Sequence, residues 1–192
     1  MPKQSRSHEV RIIGGKWKGR KLRFKSHPDL RPTLGRTRET LFNWLRPYIN
    51  GARCLDLFAG SGILGIEALS QGADYVTFVD RSRQATLGIS QTLSEINAAS
   101  DAFTLVCKDA RQFLDQQQSK FDIVFIDPPF KEPDLLTSIL TQIPSHLSDD
   151  AYCYIEVPSR FDLDTLLVDT PLGKIKHTRA GDTQSFLCIS EP

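Results

Sequence analysis

The chain has 192 residues, 40% of them hydrophobic and 24% charged, enough for one globular domain with a sizeable core and a small extension. A formal net charge of +1 conceals an asymmetry: residues 1–46 hold 13 Lys/Arg against Glu9, Asp29 and Glu39, and the remainder is acidic in balance. That distribution predicts a polyanion-binding face on an otherwise acidic domain, and no apolar run approaches the roughly 20 residues of a membrane span.

The basic N-terminus has no apolar segment behind it, which argues against a signal peptide. Cys54, Cys107, Cys153 and Cys188 form no C-x-x-C pair, and His8, His27, His146 and His177 have no ligand spacing, so no metal is expected. The cysteines are read as buried thiols in predicted strands, in a reducing compartment. The expectation is a cytoplasmic protein, monomeric by default.

In chain order, a β-branched run at 10–13 is followed by Gly14-Gly15 and then a basic segment, 16–24, interleaved with Trp17, Leu22 and Phe24. This predicts one or two short strands with a Gly-Gly turn. The density of Arg11, Lys16, Lys18, Arg20, Lys21 and Arg23 around Trp17 points to a ribbon lying on a nucleic-acid backbone. Residues 26–36, with Pro28, Pro32 and Gly35, predict a loop. Thr37 is placed as the cap of an amphipathic helix carrying Leu41, Leu45 and Tyr48, which Pro47 kinks or ends. Arg31, Arg36 and Arg38 are read as RNA or pocket contacts; a guanidinium can bridge phosphates, or pair with a carboxylate such as Glu39. Trp17 is left between stacking on a base and packing the ribbon down.

A strand then runs into the stretch from Arg53 to Gly65, followed by a helix over 63–69 that Gly72 stops. Strands are expected over 75–79, ending at Asp80, and over 102–107, 121–126 and 151–157. Helices are expected over 83–97, from Asp109-Ala110 to Gln116, and over 134–143. Residues 158–170 are less regular, and 174–178 and 184–189 read as a terminal strand pair. Strands alternating with helices predict an α/β fold with a mostly parallel sheet and an antiparallel edge. The proposed division is a basic extension with its helix, 1–50, and a catalytic domain, 51–192.

Chemistry concentrates at the strand ends. Gly60, Gly62 and Gly65 match the dinucleotide spacing G-x-G-x-x-G, which alone is weak evidence. Asp56 changes its meaning: a carboxylate there repels a pyrophosphate but attracts a cation such as S-adenosylmethionine, with its ammonium and sulfonium. Otherwise it caps backbone amides. Asp80 can accept from ribose hydroxyls or cap the next helix. Asp109 can accept from an adenine amine, with Ala110 offering its N–H, or cap its own helix.

The sharpest signal is Asp127-Pro128-Pro129-Phe130 after the apolar strand. Two prolines cannot continue a central strand; they make a rigid turn with carbonyl acceptors. Asp127 and the Pro128 carbonyl suit the two N–H groups of an exocyclic amine, while Phe130 stacks on the base. Glu156, at the end of the fifth strand, is placed near the pocket with no catalytic role.

The loop from Asp56 to Gly62 resembles the first motif of class I S-adenosylmethionine-dependent methyltransferases, and Asp127–Phe130 resembles their motif for methylating exocyclic amines. Residues 11–20, Leu30-Arg31-Pro32-Thr33 and the segment from Arg36 to Leu45 are similar to the RsmD family, bacterial 16S rRNA guanine-N2 methyltransferases. The resemblance implies a Rossmann-like, mostly parallel seven-stranded sheet with an antiparallel edge strand and a small N-terminal basic β-ribbon and helix. It implies Asp56, Phe58, Gly60 and Gly62 around the methionine part, Asp80 and Arg81 at the ribose, and Asp109 with Ala110 at the adenine. Asp127, Pro128 and Phe130 would hold the guanine. The ribbon and the segment starting at Arg36 would contact RNA. The family's expected target is the guanine conventionally numbered 966 in 16S rRNA, in an assembled or partly assembled small subunit. The residues themselves leave three alternatives: an adenine-N6 methyltransferase on DNA or RNA, a nucleotide-dependent oxidoreductase, or a non-catalytic RNA-binding assembly module.

Overall fold

The structure, a computed structural model, describes residues 7–25 and 35–191. Arg31 therefore lies outside the described residues, as does most of the predicted loop at 26–36. Two strands, β1 (Ser7–Arg11) and β2 (Lys21–Lys25), pair antiparallel as a separate ribbon. Between them residues 15–17 form a turn of 3-10 helix where the sequence predicts continued strand. Gly15 requires this: its φ is +74°, and a Cβ there would overlap the Ser70 carbonyl.

Helix α1 (Gly35–Leu45) follows. It starts earlier than expected, so Thr37 is a buried residue inside it and not its cap. Leu41 and Leu45 are fully buried, whereas Tyr48, 45% exposed, lies beyond the helix and stacks on Tyr152 at 4.1 Å between ring centroids.

The remaining strands are β3 (Arg53–Asp56), β4 (Tyr75–Asp80), β5 (Phe103–Cys107), β6 (Phe121–Ile126), β7 (Leu147–Pro158), β8 (Leu172–Ala180) and β9 (Thr183–Ser190). They form one seven-stranded sheet in the order β5-β4-β3-β6-β7-β9-β8. All pairs from β5 to β7 are parallel, while β9 runs antiparallel to both β7 and β8. The reversed strand is thus second from the edge, and β8 closes the sheet. This is the class I methyltransferase fold with its ribbon and helix extension. The helices are α2 (Ile63–Ser70), α3 (Arg83–Glu95), α4 (Ala110–Gln116), α5 (Pro133–Gln142) and α6 (Leu163–Leu167), the last in the segment read as irregular.

Side chains alternate across each strand, so each central strand feeds two cores. On β6, Ile123 and Phe125 join Cys54, Phe78, Tyr154 and Leu187 on one face, where Ile12, Trp17, Leu22, Leu41 and Leu45 also pack. Val124 and Ile126 join Leu55, Val79 and Ile155 on the other, under Phe113, Leu136 and Ile139. The ribbon and α1 therefore share a core with one face of the sheet. Cys54, Cys153 and Cys188 are buried as expected, but Cys107 is exposed, because its strand is the sheet's outer edge on that side.

Candidate active site

Strand order reverses between β3 and β6, since β3 leads outward to β4 and β5 while β6 leads outward to β7. A crevice opens at the carboxyl ends of parallel strands at such a point. Here it is a cavity of about 1010 Å³, lined from one side by Asp56, Phe58, Gly60, Asp80, Arg81, Asp109 and Ala110. From the other side come Asp127, Pro128, Phe130 and Glu156.

The glycine loop is held from within. Asp56 ends β3, is 3% exposed, and accepts the Gly65 amide at 3.0 Å. Burial pushes its carboxyl up to about 7; the Gly65 amide opposes that rise and Asp80 adds to it. Asp80 ends β4 and ties two loops together, with Oδ2 accepting the Gly60 amide at 2.8 Å and Oδ1 the Ser82 amide at 2.7 Å. The cap of α3 is Ser82, whose hydroxyl accepts from Ala85, and not Asp80. Asp109 caps α4 through the Arg111 amide at 3.0 Å and also lines the cavity.

Gly62 does not line the cavity. It takes a φ of +75° at the start of α2, and a Cβ there would come 2.8 Å from Ile89. Its contribution is to let the loop turn tightly against α3. Arg81 pairs with Glu132 at 2.9 Å, bridging the β4 and β6 loops at the cavity's edge.

Carboxylates at Asp56, Asp80 and Asp109 around a closely approached backbone loop fit a cationic nucleoside and oppose a pyrophosphate. S-adenosylmethionine, with its ammonium and sulfonium, belongs to that chemical class.

At the acceptor end, Pro128 is buried and Asp127 and Phe130 are half-buried, immediately after β6. The prolines fix where the Asp127 carboxylate and the backbone carbonyls stand.

The ribbon divides differently from the sequence reading. Arg11, Lys16, Lys18, Arg20, Lys21, Arg23 and Arg36 are exposed. Lys21 pairs with Glu9 at 2.6 Å, and Arg23 reaches the rim of the cavity. Trp17 and Arg38 are internal, 7% and 3% exposed. Trp17 packs the ribbon down, with its amide donating to Ser70 Oγ at 3.0 Å, so it offers no stacking face. Arg38 donates to the Arg11 carbonyl at 2.6 Å and lies 3.6 Å from Glu67, so it holds the ribbon rather than a phosphate.

Glu67, which fastens the ribbon to α2, was missed in the sequence. It is fully buried in α2 and accepts the Ile13 and Gly14 amides at 3.0 and 2.8 Å and Gln71 at 2.8 Å. Its signal was there: a lone acid among Ile66, Ala68 and Leu69 in an otherwise apolar helix.

Comparison with known proteins agrees with this fold. The family described as "Conserved hypothetical protein 95" matches residues 10–189. The Escherichia coli (strain K12) "Ribosomal RNA small subunit methyltransferase D" is 42% identical over 176 residues, 91% of this chain and 88% of that protein. The Haemophilus influenzae protein of the same name is 47% identical over 124 residues, 64% of each. Among solved structures, yhhF from Escherichia coli superposes with a TM-score of 0.83 at 38% identity, covering 96% of this chain and 99% of that one. A matching fold and sequence over nearly the whole length leave one conclusion: the chain belongs to the RsmD family and is a methyltransferase.

Proposed function

We propose that the protein transfers a methyl group from S-adenosylmethionine to the exocyclic N2 of a guanine in 16S rRNA. The family target, guanine 966 in an assembled or partly assembled small subunit, is the specific acceptor of this reading. The observation that carries it is the position of Asp127-Pro128-Pro129-Phe130 on the wall of the same cavity as Asp56 and Asp80. An amine acceptor and a cation-binding loop face each other across one space.

When bound, S-adenosylmethionine supplies an electrophilic methyl group on a sulfonium. Asp56, Phe58 and Gly60 would hold its methionine part, Asp80 its ribose, and Asp109 with Ala110 its adenine. Asp127 and the Pro128 carbonyl accept the two N–H groups of the guanine amine and favour its pyramidal form. They stabilise the positive charge that grows on nitrogen as it attacks. The amine is uncharged and needs no prior deprotonation; Asp127 is the acceptor for the proton that leaves after transfer. Phe130 presents a ring to the base, which must leave any stacked arrangement to enter. Most of the acceleration is positioning in line with the sulfonium.

The exposed cations of the ribbon and Arg36 would bind phosphates around the acceptor, with Arg23 nearest the cavity. The ribbon packs on the sheet face that also carries Phe125 and Tyr154, which supports its delivering RNA to the β6–β7 end.

The test is transfer of labelled methyl groups to hypomethylated small subunits, naked 16S rRNA and duplex DNA in parallel, followed by digestion to nucleosides. The reading predicts N2-methylguanosine in small-subunit RNA. N6-methyladenosine would keep the pocket and overturn the target.

A further inference from the structure

The acceptor end of the cavity contains a second carboxylate. Glu156, near the end of β7, is 7% exposed and lines the cavity with Asp127, Pro128 and Phe130. Phe125 and Tyr154 are register partners on β6 and β7, and Asp127 and Glu156 stand two residues beyond them, at positions of the same sheet face.

A buried relay fixes the Glu156 side chain. The Tyr154 hydroxyl donates to Glu156 Oε2 at 2.8 Å, and Ser185 Oγ lies 3.0 Å from the same phenol oxygen. A phenol has one proton, so it goes to the carboxylate, and the serine hydroxyl donates to the phenol. Burial raises the Tyr154 phenol well above its ordinary range, and the charges of Glu156 and Asp127 raise it further. Tyr154 therefore remains a donor, and both carboxylates lie within electrostatic reach of it.

A desolvated, oriented carboxylate beside an amine-binding motif discriminates among bases. Guanine carries N1–H next to its 2-amino group, so two carboxylates can accept from two adjacent donors. The amines of adenine and cytosine are flanked on the ring by a nitrogen lone pair, which a carboxylate repels. We propose that Glu156 selects guanine by accepting its N1–H, while Asp127 accepts from the 2-amino group. The inference rests on the guanine reading above and deepens it, by naming the group that rejects adenine.

2-Aminopurine probes this contact: it keeps the 2-amino group but has a lone pair in place of N1–H and no O6. The share that belongs to Glu156 is therefore read from the change in preference between wild type and Glu156→Gln. Small subunits are reconstituted with guanine or 2-aminopurine at the methylated position, and kcat/KM is measured for wild type, Glu156→Gln and Tyr154→Phe. Wild type should prefer guanine on the order of 100-fold. Glu156→Gln, whose amide can donate to an unprotonated N1, should cut that preference to under about 10-fold while retaining cofactor affinity. Tyr154→Phe, which loosens the carboxylate, should give an intermediate ratio.

Equal use of both bases by wild type overturns the role of Glu156 without reference to any variant. So does an undiminished preference in Glu156→Gln. Either result alongside N2-methylguanosine formation leaves the function standing. Failure of wild type to methylate guanine at all overturns the function and this inference together.

Discussion

Asp56 and Glu67 are both buried carboxylates bound to α2, one at its N-terminal turn and one within it, and their surroundings differ. Glu67 is surrounded by donors: two ribbon amides, Gln71 and, at 3.6 Å, the Arg38 guanidinium. Asp56 has, among the described residues, a single hydrogen bond from Gly65, and its carboxyl is pushed up to about 7. The charge of Glu67 is taken up by the protein itself, to fasten the ribbon to the helix. Asp56, with one donor among the described residues, is the carboxylate that the proposed function assigns to the cationic cofactor. Burial alone does not distinguish a structural acid from a functional one; the number of donors already present does.

The comparison can be broken most forcefully at Glu67. Replacing it with alanine leaves Arg38 buried without its counter-charge and strands the Ile13 and Gly14 amides. A loss of about 3–5 kcal/mol in urea denaturation is expected. Amide exchange over residues 12–17 should accelerate as well. A change within about 0.5 kcal/mol would show that the latch does not hold the ribbon.

Asp56 should behave in the opposite sense. Its ordinary value of 3.8 rises to about 7 on folding, so the folded state binds the extra proton. The carboxyl is neutral in both states below pH 3.8 and penalises neither. As pH rises toward 7 the unfolded chain ionises it first, stability falls, and the loss is complete above 7. Asp56→Asn cannot ionise and keeps an oxygen for the Gly65 amide. Its thermal stability relative to wild type should increase from pH 4 to pH 8, reaching on the order of 1–4 kcal/mol. Its affinity for S-adenosylmethionine should drop, since an amide carries no charge for the ammonium. A stability difference that is flat with pH would contradict the assignment.

The smallest effects belong to the exposed ribbon. Lys18→Ala with Arg20→Ala should leave the melting temperature unchanged and weaken binding to small-subunit RNA. The slope of log affinity against log salt should fall by about two. An unchanged slope would remove these cations from the RNA interface.

The sheet was legible because local patterns write it. The apolar run ending in Asp127-Pro128 and the alternation of strands with helices need no distant partner to be read, and β6 begins and ends where the sequence puts it. The residues of the candidate site were legible as a group for the same reason, since Asp56, Asp80, Asp109 and Asp127 each stand at or just past a strand end and line one cavity. What escaped depends on residues far apart in sequence. Sequence alone leaves Arg38 between RNA and a carboxylate, and Trp17 between stacking and packing; Glu67 and Ser70, 29 and 53 residues away, bring them inside. Glu156 is placed near the pocket by sequence but given no role there, because its surroundings come from strand pairing with β6 and from Tyr154 and Ser185 behind it. Gly62 shows the limit of a motif: the spacing marks the loop, but the glycine serves the turn against Ile89 and not the cavity wall.

The central claim is that one cavity joins a cofactor loop and an amine-acceptor motif, each with its own task. Asp127→Ala separates them when S-adenosylmethionine binding is measured by calorimetry and methyl transfer to small subunits is measured on the same preparation. The account predicts cofactor affinity within about threefold of wild type and a turnover lower by roughly 100- to 1000-fold. Turnover at the wild-type rate in a variant that binds the cofactor normally would contradict it.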